Sequence, residues 1–312
     1  MTEVLNTVAP VFGLIALGYL AARLSLLDEA ADRGLASFVF TIAMPALLFR
    51  TMATIAPVEG RSFDLLAAFL ASAAVTWIAA TVMTRTMLAR PFADTASVGM
   101  GATFGNTVMM GIPLAVGHFG DEAIAPLAVV VAVHAPAMWI VATFQQEAAA
   151  RDTGRTLGVM VRDVGVMLVR NPILIGIIGG TLWRTTGVAI PTIPLTIIDY
   201  LAAAGIPGAL FALGLSLVRY RITGQTATLI AMSLLKLLVM PAVAWLAGVY
   251  IFDLPALWLG VAVILAACPT GANAYLFAAR YERAVGSVSG SVALTTLLSL
   301  VTITALLSVL PK

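Results

Sequence analysis

The sequence reads Gly105-Asn106-Thr107-Val108-Met109-Met110-Gly111-Ile112-Pro113 near the middle of an apolar segment that extends from about residue 96 to 116. Proline lacks a backbone donor and clashes with the preceding helical turn, and glycine weakens a helix interior. In lipid, a freed backbone group is tolerated only where protein or a water-filled cavity satisfies it. The stretch therefore predicts a membrane helix that is interrupted inside the bilayer, with the interruption facing a cavity or a binding site.

A second interruption of the same kind occurs in the other half of the chain. Cys268-Pro269-Thr270-Gly271-Ala272-Asn273 lies within an apolar segment from about residue 256 to 279. Interrupted hydrophobic segments at corresponding places in two halves are the best sequence indication of a transporter binding site. We therefore expect the two interruptions to contribute to one site.

The composition is that of an all-α polytopic membrane protein. Of the 312 residues, 61% are hydrophobic and 10% are charged, and the mean hydropathy is +1.04. Soluble domains are about half apolar and about a quarter charged. Because one helix needs about 20 apolar residues to cross a bilayer, the length allows roughly ten spans embedded in lipid. The small net charge of +2 argues against a nucleic-acid partner.

Ten transmembrane helices are predicted, and they divide into two sets of five. Residues 1–144 hold the first set, 145–170 form a polar cytoplasmic linker, and 171–312 hold the second set. Loops after odd-numbered spans contain twelve of the seventeen Lys and Arg residues. Since positive loops stay cytoplasmic, both termini are expected outside the plasma membrane. The predicted spans are 4–22, 35–56, 63–84, 96–116, 123–144, 171–187, 197–218, 228–251, 256–279 and 287–310.

The two halves also repeat in sequence. A shift of 162 residues places Pro10 on Pro172 and Pro45 on Pro207, and it brings span four onto span nine and span five onto span ten. An odd number of spans in each repeat gives the two halves opposite orientations in the membrane. The pattern therefore predicts two inverted five-helix repeats, which is a transporter architecture.

The predicted site binds an anion. If both interrupted helices break near the midplane, each second half-helix begins there with unpaired amides and about half a positive charge. Two such starts brought together suit a carboxylate. The alternative is that the prolines kink the helices and the asparagines bridge neighbours, since glycine and proline are common in membrane helices. The candidate substrate-binding residues are Gly105, Asn106, Thr107, Gly111, Pro113, Pro269, Thr270, Gly271 and Asn273.

Two ionisable side chains lie inside predicted spans. Lys236 is the only lysine within a span, and charge at membrane depth is functional by default, so we predict that it attracts or contacts the substrate. The alternative is that its stem snorkels to the surface. His134 is a candidate coupling residue, because histidine can relay protons near neutral pH, and its alternative role is packing. Arg50 and Asp199 are placed near span ends, where Arg50 is expected to anchor its helix.

The sequence lacks common catalytic and metal-binding motifs. It contains no His-Glu-x-x-His, Cys-x-x-Cys, P-loop or nucleophile elbow. No enzyme activity, cofactor or metal site is therefore expected.

The chain resembles the auxin efflux carrier family in its short prokaryotic form over essentially its whole length. The most specific parts are GNTVMMGIPLAVGHFG at 105–120 and ACPTGANAYLFAARY at 267–281. The resemblance implies ten helices, of which the fourth and ninth are broken and cross each other. It also implies a dimerising scaffold of spans one, two, six and seven, and a mobile transport domain of the other spans. Asn106, Pro113, Pro269 and Asn273 match the crossover motif.

Substrates in that family are organic anions such as auxin, malonate and related carboxylates. The middle loop of plant auxin carriers can be long, whereas 145–170 is short here, which argues against auxin itself. The predicted function is a homodimeric secondary transporter of small organic anions that works by alternating access. The alternatives are a sodium- or proton-coupled symporter of related fold, an anion channel, and a membrane sensor.

Overall fold

The computed structural model describes residues 2–54, 61–149, 162, 165–166 and 169–310. The regular structure of that part is helical apart from one isolated bridge between Gly105 and Thr270. Seven described helices are long and apolar enough to cross a membrane, and Thr107–Phe119 and Ala256–Ala267 are shorter apolar helices. The prediction of an all-α polytopic membrane protein is therefore confirmed at this level.

The helices follow one another through short connections. We number the α-helices α1 (Thr2–Arg23), α2 (Glu29–Phe38), α3 (Met44–Thr54), α4 (Ser62–Thr86), α5 (Thr95–Thr103), α6 (Ile112–Phe119), α7 (Ile124–Ala149), α8 (Pro172–Thr185), α9 (Thr192–Leu217), α10 (Thr226–Leu234), α11 (Met240–Tyr250), α12 (Ala256–Ala267), α13 (Ala272–Tyr281) and α14 (Val285–Val309).

Three of these helices, α3, α6 and α11, follow directly on a five-residue π-helical turn, and each turn ends two residues before a proline. The turns are Val39–Ala43, Thr107–Gly111 and Leu235–Val239, and the prolines are Pro45, Pro113 and Pro241. A proline cannot donate its own hydrogen bond, and its ring clashes with the carbonyl four residues earlier. The wider π turn accommodates that carbonyl. Each turn therefore rotates the side chains that precede its proline.

Three predicted helix ends were wrong. The second span begins with α2 at Glu29 instead of residue 35. α7 continues to Ala149 instead of ending at residue 144, and most of the rest of the predicted linker lies outside the described residues. α9 begins at Thr192 instead of residue 197, because prolines are tolerated at and just before the first turn of a helix. Asp199 therefore lies two turns inside α9, and its Oδ1 is 2.8 Å from the Nε of Arg50, with which it forms an ion pair.

Helices from the two halves pack closely in pairs. α1 packs against α9, where a Cβ added to Gly18 would lie 2.2 Å from the Phe211 carbonyl oxygen. α3 packs against α8, where a Cβ added to Gly180 would lie 2.4 Å from the Phe49 carbonyl oxygen. Only glycine permits such an approach. The two contacts are related by the 162-residue shift found in the sequence.

Ion pairs join the second span to α9 at both ends. Arg50, on α3, pairs with Asp199 in the first half of α9. Asp32, on α2, pairs with Arg219 just after the end of α9. Arg50 therefore does more than anchor a helix end, since it connects two helices from different halves of the chain.

Candidate substrate-binding site

The two predicted interruptions are present, and they meet. α5 ends at Thr103 and helical structure resumes at Thr107, while α12 ends at Ala267 and α13 begins at Ala272. The N–H of Asn106 donates to the Pro269 carbonyl at 2.8 Å. The N–H of Gly271 donates to the Phe104 carbonyl, also at 2.8 Å. Each interruption therefore satisfies backbone groups that the other leaves free.

Glycine allows a close approach where the two segments touch. A Cβ on Gly271 would lie 3.1 Å from both the Gly105 carbonyl oxygen and the Phe104 ring, and 3.3 Å from the Asn106 nitrogen. A side chain at this position would push the two segments apart, and their hydrogen bonds would lengthen. The glycine spacing noted in the sequence thus has a local cause in the approach of two backbones.

The second half-helices both begin at this junction without a side-chain cap. The π turn that leads into α6 starts after Asn106, and α13 starts after Gly271. Neither of these residues caps its helix with a side-chain hydrogen bond. The first N–H groups of a helix have no partner within it, and together they favour a negative charge. The junction therefore offers two sets of backbone donors.

Lys236 brings a positive charge to the same place. It lies in the third π turn, and its side chain is fully buried. Its Nζ donates to the Ala266 carbonyl at 2.5 Å and contacts the Met240 sulfur at 3.3 Å. A Cβ on Gly105 would lie 3.3 Å from that Nζ. The lysine does not snorkel to the surface, because its amine is held at the end of α12, where unpaired carbonyls favour a cation.

His134 lies beside Lys236 and the Gly105 backbone, close enough to interact electrostatically with both. It is 1% exposed, and its ring packs against Phe69 at 5.3 Å and against Phe104 at 4.8 Å between ring centroids. Within the described part of the chain, neither ring nitrogen makes a hydrogen bond of normal geometry. Buried polar groups usually have a partner, and a group without one suggests a functional role.

The two threonines of the interruptions differ. The Thr270 hydroxyl donates to the Gly101 carbonyl at 2.7 Å, and its N–H donates to the Thr295 hydroxyl at 2.9 Å. Both donors of Thr270 are therefore already used, which suits a positioning role better than the substrate contact expected from the sequence. Thr107 is buried at the start of its π turn. Thr295 was missed in the sequence, because one threonine in an apolar helix gives no signal.

The remaining candidates surround the junction. Asn106 is 9% exposed, and Asn273 is half-buried in the first turn of α13. A Cβ on Gly111 would lie 2.6 Å from Leu265, so this glycine lets the π turn pack against α12. Pro113 is buried in the first turn of α6. Gly111 and Pro113 thus shape the interrupted helix, whereas the asparagine side chains lie next to the uncapped helix starts.

The site contains no acidic cluster that could hold a metal, as far as the described residues extend. Its chemistry is that of backbone donors, amide side chains and one buried amine. Donors of these kinds are suited to a negative charge.

The fold is that of a multi-pass membrane protein, and the sequence comparisons show which class of membrane protein it is. The family model described as "Membrane transport protein" matches residues 3–307. The chain therefore belongs to this family, and the resemblance to the auxin efflux carriers noted in the sequence is confirmed. The family consists of transporters, so the chain is a transporter and not an enzyme.

Two relatives align over nearly their whole length. A protein of Rhizobium meliloti (strain 1021) named "Putative malonate transporter" is 29% identical over 312 residues, which cover 98% of this chain and 96% of that protein. A protein of Methanothermobacter thermautotrophicus named "Uncharacterized transporter" is 27% identical over 323 residues, which cover 96% of this chain and 95% of that protein.

Proposed function

We propose that this protein is a secondary carrier of small organic anions, and that it binds the substrate carboxylate where the two interrupted helices meet. The observation that carries the proposal is the convergence of two uncapped helix starts and the buried amine of Lys236 on the Gly105–Thr270 bridge. The name of the Rhizobium relative supports malonate as the first substrate to test.

The electrostatics favour an anion over a neutral or cationic substrate. Helix starts present N–H groups that already point along the helix axis, so no side chain must be reorganised when an anion arrives. Lys236 adds a full charge in a region of low dielectric, where charge interactions are screened weakly. The Asn106 and Asn273 side chains are well placed to complete the hydrogen bonding of a carboxylate.

We further propose that the described helices belong to two inverted five-helix repeats. The reciprocal contacts of Gly18 with Phe211 and of Gly180 with Phe49 support this architecture. Backbone conformation supports it independently, because residues with a positive φ recur at separations of 162 to 164 along the chain. The recurring pairs are Ser25 and Gly187, Ala89 and Asp253, and Gly120 and Glu282.

In the proposed mechanism, the site is carried by a moving domain. α1, α2–α3, α8 and α9 form the scaffold, which is tied together by glycine contacts and by the two ion pairs of α9. The other helices form the transport domain, and an elevator-like displacement exposes the site alternately to the two sides of the plasma membrane. The scaffold also forms the proposed homodimer contact, and both termini lie outside.

His134 favours one variant of this mechanism. The imidazole of His134 is buried near the positive charge of Lys236, so a proton on it is favoured only when an anionic substrate is bound beside both groups, which would couple proton uptake to substrate binding. A proton-coupled symporter would therefore lose its response to an imposed pH gradient in His134→Gln, while exchange of substrate across the membrane would persist. An anion channel, in contrast, would show unitary currents and would not show saturable exchange.

The experiment has two stages. Purified protein is first screened by thermal shift against mono- and dicarboxylates. Radiolabelled hits, with malonate included in every case, are then offered to proteoliposomes that are preloaded with unlabelled substrate. We expect saturable uptake that is accelerated by the internal substrate. Uptake no faster than that of protein-free liposomes, for every carboxylate in the panel, would exclude the proposed function.

A further inference from the structure

Thr295, on α14, is hydrogen-bonded to the interruption that leads into one of the uncapped helix starts. Its Oγ1 accepts the N–H of Thr270 at 2.9 Å and donates to the Ser291 carbonyl at 2.6 Å. All three residues are fully buried. The hydroxyl of Thr295 is therefore the acceptor for a backbone donor that water cannot reach.

Thr270 joins three helices through this contact. Its hydroxyl donates to the Gly101 carbonyl at 2.7 Å, which is one of the last four carbonyls of α5 and would otherwise lack a partner. Its N–H is held by α14 through Thr295, and its backbone leads directly into α13. The ends of α5 and α12–α13 thus keep a fixed separation and a fixed direction relative to α14.

A buried N–H without an acceptor is costly, and a flexible segment responds by turning the group elsewhere. Around Thr270, such a turn would rotate the peptide groups that form the Gly105–Thr270 bridge. It would also redirect the first amides of α13. The geometry of the site therefore depends on an acceptor at position 295.

We propose that Thr295 is a positioning residue for substrate binding: its hydroxyl fixes the interruption between α12 and α13 in the conformation that receives the anion. The proposal rests on the proposed function for its effect on substrate. Its effect on the backbone at Thr270 is independent of the substrate.

The chain provides a matched control in the next residue. Thr296 is also buried, is on the same helix, and donates in the same way to a carbonyl four residues earlier, that of Val292, at 2.7 Å. It has no contact with the interruption among the described hydrogen bonds. Thr295→Val and Thr296→Val therefore make the same chemical change, and only the first removes the acceptor of the Thr270 N–H. Thr295→Ser retains that acceptor.

The test measures two quantities on the full-length protein in detergent, with size exclusion to verify that each variant is monodisperse. The first is hydrogen exchange of the peptide that contains Thr270. The second is the Kd for malonate. In Thr295→Val we expect faster exchange and roughly tenfold weaker binding, since loss of a partner for a buried donor typically has an effect of this order. Thr296→Val and Thr295→Ser should both stay near wild type.

The proposal is overturned if Thr295→Val and Thr296→Val behave alike in both measurements, or if Thr295→Ser fails to restore them. If Thr295→Val does not remain monodisperse, Thr295→Ala replaces it in the comparison with Thr296→Val, because alanine also lacks the hydroxyl and has a smaller side chain. If the wild type does not bind malonate, the proposed substrate is wrong, and the exchange comparison alone decides the role of Thr295. Normal malonate binding by Asn106→Ala would instead contradict the proposed site.

Discussion

The N–H of Asn106 donates to the carbonyl of Pro269 across 163 residues of sequence, with a nitrogen-to-oxygen distance of 2.8 Å. Proline has a carbonyl but no N–H, so Pro269 accepts from the other interruption and has no backbone donor of its own that needs an acceptor. The Asn106 backbone is thereby fixed, and its side chain remains available to a ligand. The Gly271 N–H and the Phe104 carbonyl complete the same short bridge.

The bridge makes Gly271→Ala an informative substitution. Its new Cβ would lie 3.1 Å from the Gly105 carbonyl oxygen, so the two segments must separate by a few tenths of an ångström. We expect the variant to remain folded and to lose most of its substrate transport in proteoliposomes. The matched control is Gly34→Ala, because a Cβ on Gly34 would meet nothing within 4 Å. Equal transport by the two variants would show that the close approach at Gly271 is not needed.

Lys236 gives a prediction about charge. Lys236→Gln retains a donor for the Ala266 carbonyl but removes the positive charge, whereas Lys236→Arg retains the charge. An interaction with a charged group contributes about 1.5–3 kcal/mol, so Lys236→Gln should weaken the Kd for the substrate by roughly ten- to hundredfold. Lys236→Arg should recover part of that loss. Calorimetry on monodisperse protein measures both, and a lower melting temperature without any change in Kd would restrict the lysine to a structural role.

The paired glycines of the proposed scaffold give a prediction about stability. A Cβ on Gly18 or Gly180 would overlap a carbonyl oxygen of the opposite helix, and overpacking of this kind typically costs about 1–3 kcal/mol. Gly18→Ala and Gly180→Ala should therefore lower the melting temperature by similar amounts. Gly13→Ala, in the same helix as Gly18, should not, because nothing lies within 4 Å of its added Cβ. Stability equal to that of Gly13→Ala would contradict the close packing.

The opposite orientation of the two halves gives a prediction about topology. Glu122 and Glu282 are both exposed, and they lie at corresponding places of the two halves. Glu122 is two residues after Gly120, which has a positive φ, and Glu282 is the residue with a positive φ that corresponds to Gly120. In a Cys268→Ser background, an impermeant thiol reagent should label Glu122→Cys in intact cells. It should label Glu282→Cys only after the membrane is permeabilised. Labelling of both from the same side would reject the inverted repeats, and the reverse pattern would reject the predicted orientation.

The sequence was sufficient to predict the interruptions, because glycine, proline and asparagine close together in an apolar segment are incompatible with a continuous lipid-embedded helix. It also placed Lys236 within a span. It could not predict where the lysine amine would lie, because the π turn at Leu235–Val239 rotates the side chain towards α12, and hydropathy does not report such a turn. The ion pair between Arg50 and Asp199 was missed for a similar reason, since it depends on the start of α9.

The threonines show a further limit of sequence reasoning. Thr270 and Thr107 occupy similar places in their interruptions, and the sequence predicts the same role for both. The structure separates them, because Thr270 donates to Gly101 and Thr295, which are distant in sequence. Hydrogen-bond partners of this kind depend on how helices pack, and a single sequence does not contain that information in readable form.

The proposed anion lies between the two interruptions, and the side chains that test this placement most directly are Asn106 and Asn273. Their replacement by alanine leaves the backbone bridge unchanged, since Asn106 contributes to it only through its main chain. Asn6, which is exposed on α1, provides the control Asn6→Ala. The measurement is the Kd for malonate, or for the strongest carboxylate in the thermal-shift screen, by calorimetry on monodisperse wild type and variants.

We predict that Asn106→Ala binds roughly ten- to hundredfold more weakly than the wild type, as expected for loss of a hydrogen bond to a charged group. Asn273→Ala should show a similar or smaller loss, and Asn6→Ala should show none. If Asn106→Ala and Asn273→Ala both bind with the wild-type Kd, the anion is bound elsewhere and the central claim is wrong.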